Sequence, residues 1–571
     1  MEQLDVETSF SCNGHAVVVR APADESLLLV LRERLGIFSV KDGCAPQGQC
    51  GCCTVLVDGE PRVACVTPIS RVAARSVTTV EGLDPSSRER IATAFVATGG
   101  SQCGFCTPGI VMRASGGRVR DLDRALAAHL CRCTGWQTVY DAIAGAGAGR
   151  DEALSPARDL RAAPRRAALE GGVGQEVGAG IPLGGAHFAD DTAPRDAVVA
   201  VPLPPGSEAD AVDATGMRWV VADSLVAARL AAGKVQGRRT TVEERAPLFD
   251  ELAACPPHGV RLATSWVEPA YLEPDASWCE PGGQPASPYV NGGAFGGKLE
   301  SAAPRAAREL ADRLGAVVRV VYSREDVVRL GPKRPPIAAT AVWHDGRVAI
   351  DGVVATGGGA AFAASWPTPY ACSVTARWRE VEIAGPPVGI RLRAAGLAEQ
   401  AVLVEGALDA AGIDRSTLTA DPTLLDTCVL APSGASAGAR VHIDPTTGAL
   451  ERIEVRIAAG DPLDETVLRS YAIGAAHMAL GWVCTESLSV DPATGIVHDL
   501  TIRSFGILRA KDMPPVAVEV VGEAGDPLAG SSDAVFAAVA AATWNALTRA
   551  EGTRPDTFPT RQTRASRRLR R

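Results

Sequence analysis

Ten of the fifteen cysteines in this 571-residue chain lie within its first 136 positions. Nine of them come in groups: KDGCAPQGQCGCCTVLVDG, then CVTP, SQCGFCTPGIVM and AAHLCRCTGWQ. Thiols at that density must cross-link, bind metal or be buried, and each choice dictates a different fold. The N-terminus, MEQLDVETSF, has no basic stretch followed by an apolar core, and no segment gives eighteen uninterrupted apolar residues. The chain is therefore expected to be cytoplasmic, with no membrane contact, where disulfides are rare and metal ligation is the better use of the thiols.

The spacing suits iron. A 2Fe-2S cluster takes four thiolates, and plant-type ferredoxins present three on one loop as C-x4-C-x2-C with a distant fourth. Cys44, Cys50 and Cys53 form such a loop with one residue added, and Cys65 follows as the fourth ligand. Gly43, Gly48 and Gly51 let the loop turn tightly and aim amide N–H groups at sulfur. Cys52 lies between two ligands, either as a bystander or as a replacement for a neighbour. A zinc-binding interaction module fits less well, because no second CxxC pair stands at finger spacing from Cys50 and Cys53. Around it, turns at Asn13-Gly14 and Asp58-Gly59 read as hairpins, and ESLLLVLRERLG reads as a helix stopping at Gly36. The expected product is a small ferredoxin-like sheet domain over 1–78. From 79 to 146 the pattern turns helical, with SSRERIATAFVATG, PGIVMRASGG and DLDRALAAHL apolar at a 3.6 period. Cys103 and Cys106 open one helix, Cys131 and Cys133 close another, and two such pairs make a second four-thiolate site. Pro108 suits a first helical turn.

QCGFCTPGIVM followed by LCRCTGWQ, after GC…CGxCTVLVDG, resembles the iron-sulfur portion of the molybdenum hydroxylases, the xanthine dehydrogenase and aldehyde oxidoreductase family. The resemblance implies an α+β multidomain protein. A ferredoxin-like β-grasp 2Fe-2S domain and a four-helix 2Fe-2S domain would precede mixed α+β molybdopterin-binding domains. It also implies that Gln102, before the CGFC run, touches the pterin. Beyond a linker at 147–175, rich in Ala, Gly and Arg, GAGIPLGGAHFADD resembles the start of the molybdenum portion, assigned 176–260. SWVEPAYLEPDASW and then PYVNGGAFGGKLES resemble the family's EP strand and GGxFGGK loop within a shortened first molybdopterin domain, 261–430. Gly293 and Gly296 would let backbone approach the cofactor, and Phe295 would cover the metal pocket. As a phosphate-binding loop the same stretch fails, because Leu299 stands where Ser or Thr is required. Arg393-Ala-Ala-Gly396 resembles a cofactor-side motif, although Arg393 reads equally as a salt-bridging surface residue.

In a second molybdopterin domain, 431–555, the chain departs from the family pattern. Tyr471-Ala-Ile-Gly474 stands where a Gln-x-x-Gly pterin contact is expected. Asp533 takes the place of the glutamate that accepts a proton during hydroxylation, with Glu523 as the alternative. N-capping of an alanine-rich helix explains Ser531, Ser532 and Asp533 equally well. Residues 556–571 read as a basic, solvated tail, and Cys255, Cys279, Cys372, Cys428 and Cys484 as buried thiols.

The net charge of −9 is small for this length and gives no reason to expect a nucleic-acid partner. Two functions follow. The first is a molybdenum-dependent hydroxylase that oxidises an aldehyde or a purine-like N-heterocycle with oxygen from water. Its electrons would pass through two 2Fe-2S clusters. No flavin-binding stretch is evident, so a separate flavoprotein subunit or other acceptor is expected, with a homodimer as a further option. The second is a non-hydroxylating 2Fe-2S electron-transfer protein with a degenerate molybdopterin domain, motivated by the shortened length, Tyr471 and Asp533.

Overall fold

Asn13-Gly14, Asp58-Gly59 and Asp345-Gly346 hold positive φ at both positions, which is the backbone of a tight type I′ hairpin. Each joins an antiparallel pair: Asp5–Cys12 with His15–Pro22, Thr54–Val57 with Glu60–Val63, and Ile337–His344 with Arg347–Ala355. The computed structural model describes residues 5–116, 119, 121–148, 158–171, 175–203, 208–233, 246–287, 295–362, 366–392, 394–522 and 525–570.

The first five strands make one sheet in the spatial order His15–Pro22, Asp5–Cys12, Ser76–Thr78, Thr54–Val57, Glu60–Val63. The apolar ESLLLVLRERLG segment winds as a short helix, Leu27–Leu29, continued by a wider turn, Val30–Arg34, and stops at Gly36 with φ +70°. Four helices follow: Pro85–Thr98, Thr107–Ser115, Leu122–Leu126 and Gln137–Ala148. Asp84 caps the first by accepting from Ser87 N at 2.9 Å, and Gly99 ends it in the left-handed region. The sheet and the helices meet flush. A Cβ on Gly109 would stand 2.4 Å from Gly51 O, and Leu130 N donates to Cys50 O at 3.0 Å.

The molybdenum-side portion carries three further sheets. One runs Ala276–Cys279, Val318–Val321, Val198–Pro202, Arg218–Ala222, Ala211–Val212. Another runs Ser373–Val381, Arg347–Ala355, Ile337–His344, Gly259–Thr264, Thr557–Phe558. The last runs Thr427–Leu430, Ser436–Ile443, Leu450–Ala458, Val516–Val520. Against them pack three almost wholly buried helices, Leu397–Ala410, Glu465–Cys484 and Ser531–Glu551. Their alanines and glycines allow close approach: a Cβ on Gly406 would stand 2.5 Å from the Trp544 ring. No helix among the described residues is long and apolar enough to cross a membrane.

Three expectations change. Within the span assigned to a linker, Ala163–Gly171 is a helix, and Arg166 and Glu170 on it are fully buried as an ion pair at 2.9 Å. The terminal segment is not a solvated tail. Thr557–Phe558 pairs with the Gly259–Thr264 strand, Arg564–Leu569 is helical, and Phe558 is 1% exposed. Its ring meets Trp482 at 5.2 Å and Trp544 at 5.8 Å, both edge-on. Short-range pattern missed it because one aromatic among many arginines carries the burial. Cys255 is exposed and Cys372 half-buried, because both lie outside the packed helices and strands. Phe558→Ala is expected to cost about 3–5 kcal/mol, read as a lower midpoint of urea unfolding.

Candidate functional site

The thiols stand in facing pairs. Cys103 Sγ lies 3.4 Å from Cys133 Sγ, and Cys106 hydrogen-bonds Cys131; Cys131 and Cys133 stand in the loop between Leu122–Leu126 and Gln137–Ala148 rather than closing a helix. In the ferredoxin-like domain Cys44 meets both Cys50 and Cys65, and Cys65 meets Cys53. Two buried thiols in contact share one proton. Hydrogen bonds from Cys50 and Cys65 hold Cys44 well below the usual thiol value, and Cys106 pulls Cys131 down to about 6. Amide N–H groups add to this: Gln47 N and Gln49 N donate to Cys44 Sγ at 3.2 and 3.4 Å, and Cys65 N to Cys53 Sγ at 3.4 Å. Among the described residues no three His, Cys, Asp or Glu side chains converge as the shell of a single ion. Paired thiols spread over a wider span suit a two-iron core, which wants two thiolates per iron.

Cys52 lies between the two groups. Its thiol hydrogen-bonds Cys50, and its charge is felt by Cys106 in the helical group. A Cβ on Gly43 would stand 3.1 Å from Cys50 Sγ, Cys52 Sγ and the Phe105 ring alike. His129 closes the same junction, with its ring against Gly51 and 3.2 Å from Thr54 Oγ1. Burial pushes it down to about 4, so it is neutral at physiological pH.

The helical group abuts the molybdenum-side portion. A Cβ on Gly474 would stand 1.7 Å from Cys133 O. Gln102 Nε2 donates to Cys133 O at 3.0 Å and to Ser470 Oγ at 2.9 Å, so its amide clamps this seam. Tyr471 is buried, and its hydroxyl donates to Gln175 Oε1.

Further along, the backbone of the FGG motif touches Arg391, just ahead of the RAAG motif. Phe295 has φ +48° and is half-buried between two cores, while a Cβ on Gly296 would stand 2.0 Å from Arg391 O. Arg334, from the GPKRPP segment, organises this end. It bonds Glu399 Oε1 at 2.7 and 2.8 Å and Leu392 O at 3.0 Å, and its guanidinium lies 4.3 Å from the Trp482 ring centre. Gly293, Arg393 and Glu523 lie outside the described residues.

Asp533 stands on the first turn of the Ser531–Glu551 helix. Its side chain reaches solvent, although surrounding protein atoms crowd the carboxyl. Burial first, and then the Glu170 carboxylate, push it up to about 6 against the pull of Arg334. The capping expectation needs correction: Gly530 is the N-cap, and Ser531 and Ser532 lie inside the helix. Glu170 caps it from another helix, accepting from Ser532 N and Oγ at 2.8 Å each. Among the described residues, Ser531 Oγ and Trp482 Nε1, both at this end, are buried and find no partner. Orphaned polar atoms beside an acid fit a polar cofactor.

Two family descriptions match the chain: 2Fe-2S binding domain at residues 79–144 and molybdopterin cofactor-binding domain at 373–514. Isoquinoline 1-oxidoreductase subunit alpha of Brevundimonas diminuta is 39% identical over 142 residues, covering 24% of this chain and 93% of that protein. The chain belongs to the molybdenum hydroxylase family. A second member, aldehyde oxidoreductase of Megalodesulfovibrio gigas, is 37% identical over 154 residues, or 25% of this chain, but the match spans only 17% of that longer protein. A solved aldehyde oxidoreductase from Desulfovibrio gigas shares the fold with a TM-score of 0.72, covering 99% of this chain and 100% of that one at 14% identity.

Motif matching within this molybdenum hydroxylase missed Arg132, Glu486, Arg334, Glu399 and Glu170. Only the charges in CRC and GPKRPP hinted at them, because buried pairing is long-range. An acid whose folded pKa is about 6, raised from ~3.9, opposes ionisation in the fold. Its stabilising contribution is full below pH ~4 and is lost as pH rises through 6. Asp533→Asn is therefore expected to melt with the parent at pH 4 and above it at pH 7.5, checked by thermal unfolding at both.

Proposed function

We propose that the chain oxidises an aldehyde or an N-heterocycle by molybdenum-dependent hydroxylation, with electrons leaving through two 2Fe-2S clusters. The observation that carries the reading is the series along the chain's fold: thiol group, thiol group, the Gly474 seam, then Asp533 in the first turn of the Ser531–Glu551 helix. Cys44, Cys50, Cys53 and Cys65 would hold the outer cluster. Cys103, Cys106, Cys131 and Cys133 would hold the helical one, whose Cys133 carbonyl abuts Gly474. Bound molybdopterin would supply the two-electron chemistry and the water-derived oxygen.

The chain's own residues do the rest. Asp533, pushed up to about 6, is mostly ionised at neutral pH, yet it is a stronger base than an ordinary aspartate and suits proton acceptance. Arg334, in range of both Glu399 and Asp533, holds that acid's neighbourhood electropositive. Phe295 and Gly296 bring backbone and an aromatic face to the cofactor side, with Gly293 and Arg393 as further contacts. Gln102 positions the cluster loop by gripping Cys133 O, and through that loop it serves the pterin side. The relatives named as subunits, including the nicotinate dehydrogenase small FeS subunit of Eubacterium barkeri, support a separate flavoprotein or other electron acceptor.

A second reading, electron transfer without hydroxylation, is favoured by one feature. The cavity shared by Gln102, Ser470, Tyr471 and Gln175 is about 20 Å³, room for a single water. Metal analysis decides between them. Stoichiometric molybdenum and pterin with about four irons per chain support hydroxylation; iron alone supports electron transfer. In the molybdenum-loaded enzyme, Asp533→Ala is expected to lower kcat by roughly 10²–10⁴-fold with cluster absorbance unchanged. Cys52→Ala is expected to retain the full iron content that Cys50→Ala loses, measured by iron assay and visible spectra.

A further inference from the structure

Arg132 lies between two of the helical-cluster cysteines in the chain, and its side chain turns into the molybdenum-side portion. Its guanidinium meets Glu486 fork to fork, Nη1 to Oε1 at 2.6 Å and Nη2 to Oε2 at 2.8 Å, while Nε donates to Pro269 O at 3.1 Å. The two side chains are 1% and 2% exposed. Arg132 also lines a cavity of about 10 Å³ together with Cys103, Cys106 and Cys133. That leaves room for one water at most, so little solvent can screen the guanidinium from the sulfurs.

A buried ion pair is poor evidence of stability, because desolvation offsets most of its attraction. Its placement here does something a surface pair could not. Reduction adds one electron to the helical cluster, and in a dry, low-dielectric pocket a nearby positive charge favours that state while a negative charge opposes it. Arg132 is the nearer member and Glu486 the farther one, so the pair is a dipole with its positive end toward the thiolates. Glu486 also feels Arg334 and His477, and Arg334 in turn feels Asp533. The pair therefore couples the cluster cysteines electrostatically to the neighbourhood of Arg334 and Asp533.

We propose that Glu486, acting through Arg132, sets the reduction potential of the cluster held by Cys103, Cys106, Cys131 and Cys133. Both are positioning residues, since neither touches substrate or iron. The proposal rests on the ligand assignment above. Failure of that assignment would show as a missing second cluster signal in the unaltered protein, before any variant is compared.

The test is a redox titration of the full chain with dithionite, followed by electron paramagnetic resonance so that the two clusters are read separately. In Glu486→Gln the helical cluster is expected to have a reduced-to-oxidised ratio at least tenfold higher at fixed potential, equivalent to ~59 mV for one electron. Arg132→Gln is expected to shift it in the opposite direction, and Arg132→Lys, which keeps the charge but not the fork, to leave it near the parent. The outer cluster should move in none of them. A clamp with no electrical role breaks in either Gln variant, so shifts of the same sign, or no shift with both clusters present, would overturn the proposal. Should a single variant fail to accumulate, the double variant Arg132→Gln, Glu486→Gln buries no lone charge. In it the loss of the nearer positive charge should lower the potential, and an unchanged or higher value overturns the proposal.

Discussion

One peptide carbonyl has no room beside it, and the meeting of the two halves depends on that contact. Cys133 O presses on Gly474 so closely that any side chain there would overlap it. Glycine at this point of a buried helix costs helical stability, and the return is backbone-to-backbone contact between a cluster loop and the molybdenum-side core. Gln102 and Ser470 lock it from one side, and Arg132 with Glu486 from the other. The cluster loop therefore cannot stand off from the Glu465–Cys484 helix, which carries Trp482 beside Arg334.

Around that seam the chain buries charge on an unusual scale. Lys333 with Glu268, Lys298 with Glu273, Arg334 with Glu399 and Arg166 with Glu170 are all 6% exposed or less. Pairs of this kind add little net stability, but losing one partner strands a charge at a cost of about 3–5 kcal/mol. They favour one arrangement of the segments over near alternatives. Among the segments they join are EPAYLEPD, GPKRPP and the first turn of the Leu397–Ala410 helix. Glu170 extends the same logic to a stretch that reads as linker, since it reaches across to cap the helix carrying Asp533 and raises that acid's proton affinity.

Much of the architecture was legible from local chemistry. The Asn-Gly and Asp-Gly turns, three of the helices after the first sheet and the grouping of the cysteines follow from short-range spacing, where backbone geometry leaves few options; the fourth helix comes from the family resemblance. The molybdenum-side readings were weaker because they rested on motif order. Tyr471 shows why: it occupies the expected glutamine position but is buried against Gln175, which no pattern around either residue announces. The terminal segment fails the same way, its composition being that of a tail while Phe558 fills a gap between two tryptophans.

By itself the sequence determined the family, the two thiol groups and the order of the parts, because cysteine spacing and turn dipeptides act over short range and tolerate little variation. Only the tertiary structure decided which charges pair in the interior, that the Ala163–Gly171 helix and the terminal strand belong to the core, and where Asp533 stands. Those outcomes depend on contacts between residues hundreds of positions apart, such as Arg132 with Glu486. Desolvation makes such a pairing obligatory once the chain has folded, and nothing in the local pattern specifies it beforehand.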